Sequence, residues 1–294
     1  MRITDSLRYG SLQGNIENSL QNLNTVQQQI STGKKLTTFA DDPTGASQSL
    51  ALRSALGDNA QYSRNADQAK SFLSASDSAL GSATSLIQSA RQIASQAANS
   101  DQSPESLAAL GSQVDGLTQQ LTQVANSDLH GKYLFGGTNT QTPPYDATQT
   151  YRGNAQSVSA TVGPNYQVAL NGDGRATFGP AFAALQSLKA DLTAAGAGTA
   201  GATAALSADL QKFDGGLTAL STARATTGAK LNQVTTVQSH LARAAGTYQE
   251  AISNIEDVDL AQAYVQLQSA TNVYQASLTA TAKASQYSLA DFLH

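Results

Sequence analysis

Both ends of the chain carry long helical heptads, whereas the stretch between them is rich in Gly, Pro, Thr and Tyr and has no helical period. In the second half, apolar residues alternate at intervals of three and four, with interruptions at Arg224, Thr227 and Gln238. The stripe comprises Leu206, Leu210, Phe213, Leu217, Leu220, Leu231, Val234, Leu241, Ala245, Tyr248, Ile252 and Ile255. A stripe of this kind must face other helices.

The first half of the chain has the same rhythm twice. One stripe comprises Leu107, Leu110, Val114, Leu117, Leu121 and Val124. The other comprises Ala66, Leu73, Leu80, Ile87 and Ala94, with Ala69, Ala83, Ala90 and Ala97 three positions later. The chain is therefore expected to run as helix in one direction, pass through a non-helical segment, and return as helix in the opposite direction. This order predicts a mainly α fold: a long antiparallel helical rod built from both ends of the chain, with a small β-rich insertion at the tip.

Capping signals place the first helices. An amphipathic helix is expected over residues 5–32, where Gly33 ends it. Asp42–Pro43 combines an N-cap with a first-turn proline and predicts the start of a second long helix. The same signal at residues 103–104 predicts a third helix, which we expect to end near Gly131.

Between the helical halves the period changes. Short β-prone runs separated by Gly, Pro and Asn-Gly signals occupy residues 133–135, 150–152, 158–162 and 166–170. Asn171–Gly174 is interpreted as a tight hairpin turn rather than a calcium loop, because Arg175 stands where an oxygen ligand is needed. Pro180 is expected to open a short helix, and residues 194–202 to form a flexible Gly/Ala hinge.

These breaks predict three domains, because the helical seam is interrupted again around Glu256–Asp259. They are a terminal coiled-coil assembly segment (1–42 with 258–294), a helical rod domain (43–131 with 180–257) and a small β insertion domain (132–179).

Charge is scarce, and scarcest at the two ends. Charged residues make up 13% of the chain, against about 25% in an ordinary soluble protein. Residues 18–33 have no charge, and residues 258–294 have only Asp259, Lys283 and Asp291. A Ser- and Ala-rich composition alone could produce this, but the concentration at the ends favours burial against neighbouring subunits.

The charge pattern and the apolar runs argue against nucleic acid and membrane as partners. The net charge of −4 comes without a basic stripe, and we expect the lysines at 34–35 to be balanced by the aspartates at 41–42. The longest apolar run, Ala181–Leu185, is far shorter than a membrane span. The N-terminal region also contains no apolar core typical of a cleaved secretion signal.

No motif predicts chemistry. Gly196, Gly198 and Gly201 match G-x-G-x-x-G, but the match follows a helix rather than a strand, which favours a linker over a dinucleotide site. The histidines at 130, 240 and 294 are too far apart for a zinc site, and no G-x-S-x-G elbow occurs. We therefore expect no enzyme, no catalytic residues, no cofactor and no metal.

Several segments resemble bacterial flagellar axial proteins. They are Ile30–Lys35 with Ala40–Pro43 and Gly45–Ser47, Tyr133–Gly137, Ile255–Ala261 with Tyr264–Gln268, and the tail Ser288–Leu293. The first group resembles the loop that joins the first two helices of flagellin and its relatives. Together the segments resemble the hook-associated protein 3 family, the hook–filament junction proteins of the flagellin-like superfamily.

This resemblance implies a non-enzymatic, exported building block of the bacterial flagellum. It would be a structural adaptor that joins the hook-associated ring to the flagellin filament and self-assembles through its terminal helices. The implied partners are copies of itself in a ring, hook-associated protein 1, flagellin, and an export chaperone with the flagellar type III export apparatus. The implied location is extracellular, at the hook–filament junction, reached without a cleaved signal peptide.

The assembly interface is predicted on the apolar positions of the terminal helices. We expect these helices to pair only within the assembled ring, because marginal amphipathic helices without a partner do not offset their ordering entropy. The predicted interface residues are Ile3, Leu7, Leu12, Ile16, Leu20, Leu23, Ile30, Leu260, Tyr264, Leu267, Tyr274, Leu278, Leu289, Phe292 and Leu293. Two alternatives stay open at this point: flagellin itself, the filament subunit, and a coiled-coil scaffold unrelated to flagella.

Overall fold

The computed structural model describes residues 2–98 and 102–292, with side chains described for 10–98, 102–202 and 204–283. The described helices are α1 (Arg2–Thr32), α2 (Pro43–Ala98), α3 (Pro104–Ala125), α4 (Gly174–Gly196), α5 (Ala202–Glu256) and α6 (Leu260–Phe292). The described strands are β1 (Asp128–Leu129), β2 (Lys132–Tyr133), β3 (Ser159–Gly163) and β4 (Tyr166–Ala169). β1 pairs with β2 and β3 with β4, both antiparallel. The mainly α fold with a small β-rich insertion confirms the predicted class.

The helix ends predicted at the first loop are confirmed. α1 ends immediately before Gly33, whose φ of +71° is the left-handed conformation that side chains disfavour. α2 begins at Pro43. Asp42 Oδ1 caps it by accepting hydrogen bonds from the N–H groups of Thr44 and Gly45 at 3.1 and 3.0 Å.

The third helix ends earlier than the sequence predicted. Ser103 caps α3 as expected, but the helix ends at Ala125 rather than near Gly131. β1 and β2 form a tight hairpin there, with His130 and Gly131 at φ of 52° and 76°. Two consecutive positive φ angles are typical of a type I′ turn, which suits the twist of paired strands.

Asn171–Gly174 is not the predicted hairpin turn. Asp173 is the N-cap of α4, since its Oδ1 accepts a hydrogen bond from the Arg175 N–H at 2.9 Å. Pro180, the predicted start of this helix, lies inside it. A proline removes one backbone hydrogen bond, whereas the earlier start places Phe178 in the core with no exposed surface.

The glycine-rich segment joins α4 to α5, as the linker interpretation predicted. α4 ends at Gly196 and α5 begins at Ala202. Gly198 and Gly201 between them have φ of +72° and +82°. These glycines therefore serve backbone conformations that other residues rarely adopt.

The chain divides into two compact units, whose bounds differ from the predicted domains. The first unit comprises Met1–Asp58 with Ala244–His294, and the second comprises Asn59–Arg243. The beginning of α2 and the end of α5 thus belong with the terminal helices, because they share contacts around Glu256 that are described below. The predicted β insertion, residues 132–179, lies in the second unit together with α3 and α4.

The core of the second unit confirms the predicted stripes. On α2, all nine positions of the predicted stripe are buried: Ala66, Ala69, Leu73, Leu80, Ala83, Ile87, Ala90, Ala94 and Ala97. Leu206, Phe213, Leu220 and Val234 of α5 are equally buried. α3 packs on α4 through Leu107, Leu110, Val114 and Leu121, which are buried as well. Burial of each Leu, Ile, Val or Phe side chain among them contributes about 1.5–3 kcal/mol.

Aromatic side chains fasten the β insertion to α4. The ring centroid of Phe178 lies 4.8 Å from that of Phe135, and the rings of Tyr145 and Phe182 are also 4.8 Å apart. The Tyr145 hydroxyl donates a hydrogen bond to the carbonyl of Gly174 at 2.9 Å. A side chain at Gly174 would place its Cβ 2.2 Å from the Phe135 carbonyl oxygen, so this close approach requires glycine.

Candidate assembly surface

α1 and α6 pack against each other within the first unit. On α1 the less exposed positions alternate at intervals of four and three: Leu12, Ile16, Ser19, Leu23, Val26 and Ile30. Val26 is the most buried of them, at 5% exposure. The interval is that of a coiled-coil seam, so α1 presents one continuous stripe to its partner.

α6 supplies the matching stripe with smaller side chains. Its positions are Ala263, Leu267, Ala270, Tyr274, Ser277 and Thr281, again four and three apart. Ala263 and Ala270 are buried. The hydroxyl oxygens of Ser19 and Ser277 lie 3.4 Å apart across the contact. These two stripes together are called the terminal seam.

Six large apolar side chains of α1 and α6 outside the seam are exposed to solvent. They are Leu20, Leu260, Tyr264, Val265, Val273 and Leu278, and are together called the outer face. Tyr264 is 60% exposed and Val265 is 71% exposed. Residues 260–282 contain no charged side chain at all. An exposed apolar surface without charge is typical of a protein interface.

The predicted interface residues divide between these two surfaces. The terminal seam contains Leu12, Ile16, Leu23, Ile30, Leu267 and Tyr274. The outer face contains Leu20, Leu260, Tyr264 and Leu278. Ile3, Leu7, Leu289 and Phe292 lie on the described helices with side chains outside the described residues, and Leu293 lies outside them altogether.

The pairing itself differs from the sequence-based expectation. We expected the terminal helices to pair only in an assembled ring, whereas the structure packs α1 on α6 in a single chain. The small side chains at positions 263, 270 and 277 explain the difference, because they let the two helices approach closely over several turns. Close packing along a long contact compensates part of the ordering entropy.

Glu256 joins three parts of the first unit. Its carboxylate accepts hydrogen bonds from Lys34 Nζ at 2.6 Å and from Arg53 Nε and Nη2 at 2.9 and 2.6 Å. The Ser49 hydroxyl donates a further one. Lys34 follows α1, Ser49 and Arg53 belong to α2, and Glu256 ends α5. These charged donors hold the pKa of Glu256 well below its ordinary value, Arg53 contributing most.

Backbone pairing reinforces this cluster. The Lys35 N–H donates to the Glu256 carbonyl at 2.7 Å, and the Val258 N–H donates to the Gly33 carbonyl at 3.0 Å. Asp259 then caps α6 by accepting a hydrogen bond from the Ala261 N–H at 2.9 Å. The turn between α5 and α6 is therefore held to the loop that follows α1.

The lysines at 34–35, whose charge the aspartates at 41–42 were expected to balance, bond to α5 rather than to those aspartates. Lys34 pairs with Glu256, and the Lys35 ammonium donates to the carbonyl of Asn254 at 2.9 Å. Asp41 instead accepts hydrogen bonds from Thr38 and Thr37, which lower its pKa to about 2. Both aspartates are used locally, Asp41 to shape the loop and Asp42 to cap α2.

Sequence reasoning missed part of the surface. Val265 and Val273 belong to the outer face but not to the predicted set, and Ala263 and Ala270 belong to the seam. The available signal was the seven-residue spacing of the small residues at 263, 270 and 277. Phe39 and Leu50, both 60% exposed, also lie in the first unit. Only a folded structure distinguishes such residues from core residues.

Within the described residues, no group of three His, Cys, Asp or Glu side chains is placed to hold a metal ion. Nor does any helix of the described ranges have the length and apolar character of a membrane span.

Two family models match the helical ends of the chain. Residues 5–140 match the bacterial flagellin N-terminal helical region, and residues 210–293 match the bacterial flagellin C-terminal helical region. These matches include both helices of the terminal seam. The superfamily is therefore that of flagellin.

Flagellar hook-associated protein 3 of Escherichia coli K12 is 30% identical over 283 residues, which span 88% of this chain and 89% of that protein. The chain belongs to the flagellar hook-associated protein 3 family. The family member of Salmonella typhimurium is 35% identical over 164 residues, which span 55% of this chain and about half, 52%, of that protein.

Solved structures share the fold. A flagellar hook-associated protein from Vibrio parahaemolyticus superposes with a TM-score of 0.68 over 74% of this chain and 100% of that one, at 19% identity. The sequence match to the hook-associated protein 3 family is therefore accompanied by a match in fold.

Proposed function

We propose that this chain is a non-enzymatic structural adaptor that joins the hook-associated ring to the flagellin filament. As a member of the hook-associated protein 3 family, it is a flagellar hook–filament junction protein. Family membership favours this role over the filament subunit and over a scaffold unrelated to flagella.

The outer face is the observation that carries the assembly role. The terminal seam occupies one side of α1 and α6, and the outer face leaves further large apolar side chains in solvent. Exposed apolar side chains on a packed helix pair, with no charged residue between positions 260 and 282, favour contact with other subunits. The assembly interface is accordingly assigned to the outer face, with the seam as its support.

The partners follow from this arrangement and from the family. Copies of the chain would form a ring through the outer face, with hook-associated protein 1 on one side and flagellin on the other. The chain would reach the junction unfolded, through the flagellar type III export apparatus, with a cytosolic chaperone and without cleavage of its N-terminal segment. The absence of cysteine is compatible with such transport, because no disulfide has to be reduced.

Deletion of the gene tests the proposal. Cells that lack it should retain hooks, assemble no filament and release flagellin monomers into the medium, because flagellin has no junction on which to polymerise. Loss of hooks, or normal filaments, would contradict the adaptor role. A filament subunit would leave no flagellin to be released, and an unrelated scaffold would leave flagellation unchanged.

Val265→Asp tests the outer face in the same strain. A carboxylate buried at a subunit contact costs several kcal/mol unless it is paired. We expect the variant to be exported, to fold as the wild type does, and to restore less than about one tenth of the filaments, since 1.4 kcal/mol already corresponds to a tenfold loss of binding. Gln249→Asp, exposed on α5 in the same unit and outside both helices of the seam, is the matched control for added charge. Equal filament counts for Val265→Asp and wild type would refute the assignment.

A further inference from the structure

A buried carboxylate in the second unit has an unsatisfied oxygen. Asp209 of α5 has no exposed surface. Its Oδ1 accepts hydrogen bonds from the Ser187 hydroxyl at 2.7 Å and from Lys212 Nζ at 2.9 Å. Its Oδ2 has no partner, which sets it apart from every other buried polar side-chain atom in the described residues. A buried acceptor without a donor costs about 1–3 kcal/mol, so the orphan oxygen calls for an explanation.

A second carboxyl group stands beside it. Asp191 of α4 is half-buried and approaches the same Ser187 hydroxyl as Asp209 does. Its Oδ2 lies 3.5 Å from the Ser187 hydroxyl, which already donates to Asp209. Burial, followed by the negative charge of Asp209, raises the pKa of Asp191. The two carboxyl groups therefore lie on either side of one hydroxyl, Asp191 on α4 and Asp209 on α5.

The surrounding charges leave this pair one positive charge short. Lys212 approaches both Asp209 Oδ1 and the Ser187 hydroxyl, the latter at 2.5 Å. Lys189, on the same helix as Asp191, pairs with Asp115 of α3 at 2.6 Å. Two ionised carboxylates beside one ammonium would retain a net negative charge next to the fully buried Asp209, which is unfavourable.

We propose that Asp191 and Asp209 form a proton-binding site, in which the protonated Asp191 carboxyl donates a hydrogen bond to Oδ2 of Asp209 across the α4–α5 contact. One proton on Asp191 provides the hydrogen-bond donor that Asp209 Oδ2 lacks. It also neutralises one of the two negative charges. Both residues of the site belong to the second unit.

The site makes the second unit pH-dependent in a defined direction. An aspartate whose pKa is higher in the folded state than in the unfolded state contributes stability that is fully present below the unfolded pKa, about 3.9. That stability is lost as the pH rises through the folded pKa. The equilibrium constant for unfolding should therefore rise by up to tenfold per pH unit above about pH 4 until the proton has left.

Asp191→Asn tests the site, because the amide supplies a permanent donor of nearly the same shape. In urea unfolding followed by far-ultraviolet circular dichroism, the ratio of the wild-type unfolding constant to that of the variant should rise with pH over this window. Asp214→Asn is the matched control on α5, since Asp214 is solvent-exposed and pairs with Arg91. Its ratio should not show this rise. A ratio for Asp191→Asn that does not change with pH would overturn the proposal.

Carbon-13 NMR of the aspartate carboxyl groups gives a second readout on the wild-type chain. The Asp191 resonance should titrate above the ordinary aspartate range, and in Asp209→Asn it should shift back towards that range. Ionisation of Asp191 in the ordinary range would overturn the proposal. So would stabilisation of the wild type, but not of Asp191→Asn, by millimolar Mg²⁺ or Ca²⁺ at neutral pH, because a metal cation rather than a proton would then supply the charge.

Discussion

At the scale of single residues, Glu256 connects the ends of the chain. It is buried at the end of α5, yet its charge is matched by Lys34 and Arg53 from two other elements. The partners lie 222 and 203 residues away in sequence. No local pattern could predict that pairing, because the sequence shows only an acidic interruption of a helical seam.

Glu256→Gln should destabilise the first unit at neutral pH. The amide keeps the shape but loses the charge-assisted hydrogen bonds, and we expect a loss of about 1–3 kcal/mol, since the cations are partly solvated. The folded pKa of Glu256 is lowered, so its stabilisation is present above the unfolded pKa of about 4.3 and disappears as the pH falls. Urea unfolding at neutral and acidic pH measures both effects.

Glu250→Gln provides the control for that measurement. Glu250 is an exposed glutamate on the same helix and in the same unit. Its substitution should change stability by less than about 0.5 kcal/mol. If the difference between wild type and Glu256→Gln instead grew at acidic pH, the role assigned to Glu256 would be untenable.

At the scale of elements, the terminal seam depends on small side chains. Ala263 and Ala270 are buried on α6, and their neighbours along the seam are only partly buried. α1 and α6 are long, so many modest contacts add up along the pair.

Ala270→Leu should therefore weaken the seam. The larger side chain has no space between close helices, and overpacking typically costs about 1–3 kcal/mol. Hydrogen exchange of the purified monomer should become faster in both α1 and α6. Ala276→Leu, at an exposed position of α6, should leave exchange unchanged. Equal exchange in both variants would mean that position 270 does not lie in a packed contact.

The ends of the helices show which features could be predicted from the sequence. Gly33, Asp42 and Ser103 act through their own backbone neighbourhood, and the predicted helix ends at these residues are confirmed. The spacing of apolar residues at intervals of three and four also identified the buried side of α2, because that spacing depends only on the helix itself. The start of α4 was predicted wrongly because Pro180 is the stronger local signal, while the burial of Phe178 depends on the whole core.

The exposed apolar side chains of the terminal helices were harder to predict than the helices themselves. Both sides of α6 are apolar, so the heptad alone did not separate Leu267, which faces α1, from Tyr264, which faces solvent. The seam also uses Ala263 and Ala270, whose small size hides them in a search for large apolar residues. The division between a supporting seam and an outer face therefore required the structure.

At the scale of the whole molecule, the two units use their apolar residues differently. The second unit buries its stripes in a core, whereas the first unit leaves most of the large exposed apolar side chains of the described residues in solvent. Tyr166 is the exception in the second unit. A core supplies stability, and an uncovered apolar surface supplies contacts to other subunits. A buried core in one unit and exposed apolar side chains in the other suit a protein that folds as a single chain and binds other proteins through its terminal helices.

The central claim is that the seam forms within one chain and leaves the outer face free. Ser19→Cys combined with Ser277→Cys tests it most directly, because the two hydroxyls lie 3.4 Å apart and the chain has no other cysteine. We predict that mild oxidation of the dilute protein closes an intrachain disulfide, seen as a faster-migrating monomer on a non-reducing gel, and that Ser19→Cys with Val273→Cys does not. Covalent dimers, or free thiols in both double variants, would contradict the account.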